Sequence, residues 1–218
     1  MSSREAASGT SCGSYFSRND NANRNVSCTE PGDGYIAAHK DYLAWIPDGN
    51  ITQLTAGGTA TVTLEGLSLP LGAATKMIRI CLNGFACSGA SARYFTVEAR
   101  VKNLGATSQF DNGIPGEGII IQEVRRDRPA ISGSCYFNSQ SGWALPVDAT
   151  PGDYDSAACN PGGRFYPNYA LFNAQWLPGQ TYANNAYGFS VRVASRSGSN
   201  YQVIIGPARK RFGQITGE

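Results

Sequence analysis

Residues 93–101 read RYFTVEARV, and this strict alternation of apolar and polar side chains constrains the fold more than any other feature. The pattern predicts a β-strand with Phe95 and Val97 on one face and Glu98 on the other. TATVTLEGLSL, KMIRICL, GFSVRVAS and YQVIIG predict further strands, the last two forming a closing hairpin. EGIIIQEVR predicts a strand that is buried on both faces.

About seven or more strands, separated by turns rich in glycine and proline, predict an all-β fold: a β-sandwich of mostly antiparallel strands with long disulfide-stapled loops. GYIAAHKDYLAWIP is the exception and predicts one short helix near residues 35–46. The large apolar side chains of this segment are expected to dock on the sandwich; they are Tyr42, Leu43, Trp45 and Ile46.

Charge and hydropathy exclude two classes of partner. Charged residues make up 16% of the 218 residues and the net charge is +2, which gives no electrostatic basis for binding nucleic acid. The basic residues near the end belong to a segment, residues 209–218, that is expected to be a flexible, solvated tail. No apolar run reaches the length of a membrane span, so a membrane partner is not expected.

The six cysteines fall into three couples of near neighbours: Cys12 with Cys28, Cys81 with Cys87, and Cys135 with Cys159. Each couple flanks a loop rich in glycine, serine or asparagine, which favours pairing within the couples, although fifteen pairings are open. Disulfides predict an oxidising compartment and hence a secreted protein. Because MSSREAASGTSCGSYF lacks the apolar region of a signal peptide, we expect a mature form or a piece of a longer protein.

The titratable residues limit the chemistry. His39 is the single histidine and lies beside an apolar helical stripe, so a packing role is favoured over a Ser-His-Asp or zinc site. A glycosidase pair among Glu98, Glu117, Glu123 and Asp127 stays open in principle. Strand carboxylates are ordinarily solvated or paired, however, and Glu98 is expected on a solvent-side or loop-covered face, paired with Arg100 or with a neighbouring strand's arginine such as Arg125.

Two loop features offer binding sites. Asp148, Asp153 and Asp155 cluster with glycine in one loop and are candidate calcium ligands, although these residues are also ordinary turn formers. Five aromatic residues in the loop-rich part of the chain are candidate carbohydrate contacts, with loop anchoring as the alternative; they are Trp143, Tyr154, Tyr166, Tyr169 and Trp176.

Several segments resemble secreted zinc metallopeptidases of the gametolysin and immune-inhibitor type. HKDYLAWIPDGNITQLTAGGTATVTLEGL resembles the stretch that leaves their catalytic domain. KMIRICL, RYFTVEARV and PGEGIIIQEV resemble successive strands of the β-sandwich that follows, and WLPGQTY with YGFSVRVASRSGSNYQVII is similar to its closing strands. The resemblance covers about residues 35–206.

The resemblance implies a role without catalysis. Met1, Ser2 and Ser3 look like the Met-turn beneath the zinc, so residues 1–47 would be the partly disordered end of a catalytic domain whose zinc-binding helix is missing. Residues 48–208 would form the sandwich. No catalytic residue carries over, because the chain departs from the family where the chemistry would occur and lacks the zinc-binding helix. Trp45, Glu98 and Arg100 match scaffold positions of the family.

The implied function is an accessory β-sandwich that supports an upstream protease domain and engages extracellular protein or glycan. This chain is expected to require no cofactor, although it could bind calcium. Zinc would belong only to the missing upstream part. The alternative is a free-standing carbohydrate-binding module, which would show a coplanar row of exposed aromatic rings.

Overall fold

A short helix and nine strands make up the regular structure in the computed structural model of this protein, which describes residues 36–102, 111, 116–128, 143–147, 149 and 174–208. A single turn of 3-10 helix, Asp48–Asn50, separates the helix from the first strand. The elements are α1 (Ala37–Tyr42), β1 (Ile51–Thr55), β2 (Ala60–Glu65), β3 (Met77–Cys81), β4 (Arg93–Arg100), β5 (Gly118–Arg125), β6 (Ala144–Pro146), β7 (Thr181–Asn184), β8 (Phe189–Ser197) and β9 (Asn200–Pro207).

The strands form two sheets. One has five strands in the order β1-β3-β4-β5-β6 and the other has four in the order β2-β9-β8-β7. Every strand pair within them is antiparallel except β1 with β3, which is parallel because the chain visits the other sheet through β2 in between. The predicted all-β, sandwich-like fold is confirmed.

The main core lies between the sheets and follows the alternation of the sequence. Phe95 and Val97 of β4 face Phe189 and Val191 of β8, and the rings of Phe95 and Phe189 meet at 5.0 Å between centroids. The inward side chains of β2 and β8 in this core are Val62, Leu64, Phe189, Val191 and Val193. Burying each large side chain contributes about 1.5–3 kcal/mol.

A second apolar layer covers the outer face of the five-stranded sheet, where α1 packs. Ile36 and Ala38 contact Tyr94 and Ile120, which point away from the main core. Residues Ile119, Ile120 and Ile121 are therefore all buried, as EGIIIQEVR predicted for a strand covered on both faces. The start of α1 contributes to burying the outer face of β4 and β5, where Ile36 and Ala38 pack.

The helix is shorter than predicted. It ends at Tyr42, because Ala44 takes the left-handed conformation with φ of 53°. Two backbone hydrogen bonds of the Schellman type cap this end. The Trp45 N–H donates to the Lys40 carbonyl at 2.8 Å and the Ala44 N–H to the Asp41 carbonyl at 3.0 Å. This is the geometry that glycine usually provides at a helix C-terminus, and alanine gives no sequence signal for it.

The early helix end changes which side chains dock. Ile46 is buried against Met77, as expected. Tyr42, Leu43 and Trp45 were also expected to dock on the sandwich, but they are 50%, 37% and 51% exposed. The docked face is made instead by Ile36 and the small residues Ala37 and Ala38.

The Cys81–Cys87 disulfide is confirmed, with its Cα atoms 5.2 Å apart, and it closes the loop that follows β3. The other two predicted pairs, Cys12–Cys28 and Cys135–Cys159, lie outside the described residues, as does the basic tail. Among the helices that the structure describes, none is long and apolar enough to span a membrane.

Ala44→Gly should stabilise the protein by about 0.5–1 kcal/mol, because glycine adopts positive φ without the steric cost that alanine carries. Urea unfolding measures the difference. Ala38→Gly, the same chemical change inside the helix, is the matched control and should destabilise by about 1 kcal/mol. If both variants lose stability equally, α1 does not end as described.

Candidate functional site

The outer face of β4 holds a buried carboxylate, Glu98. Its side chain is completely buried and accepts a hydrogen bond from the Ala37 N–H at the start of α1. A second interaction comes from Arg100 on the same face of the strand, whose Nη1 lies 3.4 Å from Oε1 of Glu98. The predicted pairing with Arg100 is confirmed, whereas the solvent-side alternative and the pairing with Arg125 are wrong.

Arg100 connects Glu98 to a second buried carboxylate. Its Nη2 lies 2.7 Å from Oδ1 of Asp111, and both side chains are fully buried. The Ser68 hydroxyl donates to the other oxygen of Asp111. Asp111 has a φ of 70°, a conformation that aspartate tolerates better than most residues. A loop residue is thus held against the sheet by ionic contacts.

Two lysines complete the group, which we call the helix-docking cluster: Lys40, Lys76, Glu98, Arg100 and Asp111. The fully buried Lys76 ammonium lies 2.6 Å from Oε2 of Glu65 and donates to the carbonyls of Gly66 and Leu69, both at 3.2 Å.

Lys40 extends from α1 and donates to the Leu67 carbonyl at 3.2 Å. Burial, together with the nearby Arg100 charge, lowers the pKa of Lys40. The cluster therefore ties the helix and the 66–69 turn to one face of the sheet.

The electrostatics of Glu98 follow from its burial. Desolvation raises its pKa from 4.5 to about 7, and the charge of Asp111 adds to this, while Arg100, the Ala37 N–H and Lys40 act in the opposite direction. Shifted carboxyl groups of this kind are frequent in active sites, but structural ion networks produce them too. Because the Glu98, Arg100 and Asp111 side chains have no exposed surface, the arrangement can hold α1 in place but cannot meet a substrate as it stands.

A second clamp acts farther along the helix. The Asp41 carboxylate accepts hydrogen bonds from Arg79 of β3 and, at 3.3 Å, from the Tyr94 hydroxyl of β4. Burial, followed by the Asp41 charge, raises the pKa of Tyr94, so this hydroxyl remains a donor at neutral pH. Helix α1 is thus attached through Ala37, Lys40 and Asp41.

His39 has the packing role that the sequence favoured. Its ring lies on Trp143, with 4.9 Å between centroids and a tilt of 55°. Burial lowers its pKa from 6.5 to about 4. Burial against the indole disfavours protonation of the imidazole, because the charged form would lose hydration.

Trp143 and Trp176 occupy different positions from each other. Trp143 is half-buried beside α1, where it contacts His39 and Tyr42. Trp176 is only 7% exposed, belongs to the main core and donates its Nε1–H to the Val147 carbonyl at 3.2 Å. This burial agrees with the anchoring alternative for Trp176.

The remaining candidates lie outside the described residues: Asp148, Asp153, Asp155, Tyr154, Tyr166 and Tyr169.

The carboxylates considered for a glycosidase pair are each held by arginine. Glu117 lies 2.7 Å from Arg196, and Asp127 lies 2.6 Å from Arg93 and 3.1 Å from Arg125. Glu123 pairs with Arg128, and Glu98 is buried. Such engaged carboxylates are typical of structural ion pairs.

Sequence reasoning missed Lys40, Lys76 and Asp111 as members of a site. The signal for Lys76 was its place at the start of the apolar strand KMIRICL, where a long side chain can be buried. Asp111 carried no such signal, because its contact with Arg100 is set by tertiary structure.

Within the part of the chain that the structure describes, no group of three or more His, Cys, Asp or Glu side chains is placed to hold a metal ion. In comparisons with known proteins, no family model, no curated protein and no solved structure matches this chain. The resemblance to metallopeptidases therefore rests on the sequence motifs alone.

Glu98→Gln should make the protein less stable at about pH 5 than at about pH 7. In the wild type, the raised pKa means that folded Glu98 holds its proton where the unfolded chain loses it, so this group's contribution to stability falls as pH rises from 4.5 to about 7. Glutamine removes this dependence of stability on pH and leaves the opposite dependence that comes from His39. Thermal midpoints at the two pH values measure the change. If the midpoints of the variant depend on pH as those of the wild type do, the burial of Glu98 is contradicted.

His39→Phe should have the opposite effect and make the protein more stable at about pH 5 than at about pH 7. The lowered pKa of His39 means that its contribution is complete above 6.5 and is lost as pH falls towards 4. Phenylalanine keeps an aromatic ring on Trp143 and cannot be protonated. Only the pH dependence of stability that comes from Glu98 then remains. The double variant is the control and should show little change between the two pH values. A His39→Phe profile identical to wild type would refute the assignment.

Proposed function

We propose that this chain is the non-catalytic accessory β-sandwich of a secreted metallopeptidase-like protein and that it supports a protease domain. The observation that carries the proposal is the attachment of α1. The helix directly follows residues 1–35 and is held to β4 by the Ala37 N–H on Glu98 and to β3 by Asp41 on Arg79. Because α1 is held to the sheet at both contacts, a domain that precedes the helix would be held in a fixed position relative to the sandwich.

The order of the resembling motifs supports the same proposal. KMIRICL, RYFTVEARV and PGEGIIIQEV coincide with β3, β4 and β5, which are hydrogen-bonded neighbours in one sheet. The closing motif coincides with β8 and β9, which pair in the other sheet. The motifs therefore fall on a connected framework, as scaffold positions of a sandwich would.

A non-catalytic role is supported by the chemistry of the described residues. The buried ionisable cluster lies beneath α1, and the strand carboxylates are paired with arginines. The zinc and its ligands would belong to the upstream domain. Calcium at Asp148, Asp153 and Asp155 remains a proposal for residues outside those described. The Cys81–Cys87 disulfide supports secretion, since such bonds persist in oxidising compartments.

The test is to add the purified full chain to a catalytic domain of the gametolysin type. The chain alone should not hydrolyse casein, whereas its addition should raise the thermal midpoint of the catalytic domain, because binding to the folded form stabilises it. Ala37→Pro removes the N–H that donates to Glu98, at the first position of the helix, where proline is tolerated. This variant should raise the thermal midpoint of the catalytic domain by less than the wild type does. Ala44→Gly keeps that contact and is the control.

Two outcomes would overturn the proposal. Casein hydrolysis by the chain alone that survives repurification and is sensitive to chelator would make it an enzyme. An unchanged thermal midpoint of the catalytic domain at every concentration of the chain would remove the support role and leave the free-standing module as the better reading.

A further inference from the structure

A partly exposed aromatic and cationic surface lies at the end of α1; we call it the Tyr42 face, and it consists of Tyr42, Arg126 and Trp143. Tyr42 is 50% exposed, and its ring centroid lies 4.5 Å from the Arg126 guanidinium carbon and 5.6 Å from the Trp143 ring. Tyr42 is the last residue of α1, which docks on the sheet through Ile36 and the small residues Ala37 and Ala38.

Arg126 differs from the arginines around it. Arg93 and Arg125 share the Asp127 carboxylate, and Arg128 pairs with Glu123. Within the described residues, the Arg126 guanidinium lies over the Tyr42 ring and forms no ion pair with a carboxylate. Among the described residues, the carboxylates of Glu123 and Asp127 are thus engaged by other arginines, while the Arg126 cation lies beside a partly exposed aromatic ring.

The backbone holds this surface in place. The Arg126 N–H donates to the Ala92 carbonyl at 3.0 Å, and the Arg125 N–H donates to the Trp143 carbonyl at 2.6 Å. Asp41, the residue before Tyr42, accepts a hydrogen bond from Arg79, and this contact holds the end of the helix on the sheet. A ligand would therefore meet a surface whose parts are already positioned, which lowers the entropic cost of binding.

We propose that the Tyr42 face binds a single sugar ring that carries a carboxylate or sulfate group. The apolar C–H face of a pyranose packs on an aromatic ring, and the planar guanidinium of arginine offers paired donors that match a carboxylate or sulfate. The 54° tilt between the Tyr42 and Trp143 rings favours one sugar unit over the flat row of rings that would hold an extended neutral chain.

This proposal goes beyond the support role and does not depend on it. Its ligand can come from two sources, a uronic acid or a sulfated sugar, which share an anionic group on a pyranose ring. The support role is read from the thermal midpoint of a catalytic domain, whereas this site is read from glycan binding. Failure of one therefore leaves the other intact.

The experiment titrates the full chain with galacturonate oligosaccharides, heparin oligosaccharides, neutral malto-oligosaccharides and polyglutamate, and follows binding by calorimetry or NMR shifts. We expect binding of one or both acidic glycans and weak or no binding of the neutral glycan and polyglutamate. Binding of galacturonate shows that a carboxylate suffices, and binding of heparin without galacturonate assigns the sulfate, because heparin carries both groups; either result supports the site.

Variants separate this site from general charge attraction. Arg126→Ala and Tyr42→Ala should each weaken acidic-glycan binding by about tenfold or more, whereas Tyr42→Phe, which keeps the ring, should have a small effect. Arg192→Ala is the matched control, because Arg192 is an exposed arginine on β8 of the other sheet. Arg126→Gln is the second variant, and thermal midpoints verify that each protein folds.

Several results would overturn the proposal. These are no binding of either acidic glycan, equal binding of the neutral glycan, and equal binding of polyglutamate, which would mean that no sugar ring is required. An equal loss for Arg126→Ala and Arg192→Ala would reduce the effect to net charge. Unchanged binding by folded Arg126→Gln would also exclude the assigned residue.

Discussion

The burial of Glu98 is the constraint on which the outer face of this sandwich depends. An ionised carboxylate in a protein interior loses several kcal/mol of hydration, about the same order as the stability of a whole domain. The alternation of β4 places it on the side opposite Phe95, so it cannot move away without disrupting the core. The fold compensates with the Ala37 N–H and Arg100.

Each compensation recruits a further part of the chain. Arg100 is itself a buried charge and engages Asp111, while the Ala37 contact requires the start of α1 to lie on the sheet. Close approach of the helix is possible because Ala37 and Ala38 are small. The same arrangement turns Tyr42 outward, next to Arg126. A single buried carboxylate thus links the docking of the helix to the character of the surface beyond it.

The sandwich was predictable from the sequence because its signals are local. The period-two patterns of RYFTVEARV, TATVTLEGLSL and GFSVRVAS specify which side chains face the core, and the structure has them there. The Cys81–Cys87 pair followed from its short spacing. These features depend on neighbours within a few residues, which a single sequence displays.

The outer face was less predictable because its partners are distant in the chain. Ala37 and Glu98 are separated by 61 residues, and nothing in the alternation distinguishes a solvent-facing glutamate from one covered by a helix. The early end of α1 depended on alanine at a position where glycine is usual.

Helix α1 is fixed to the sheet through the Ala37 N–H and the Glu98 carboxylate. Hydrogen exchange of individual amides in the native chain tests it most directly. We expect the Ala37 amide to exchange as slowly as the amides of Phe95 and Val97. An Ala37 amide that exchanges as fast as Gly57 in the exposed turn after β1 would contradict it.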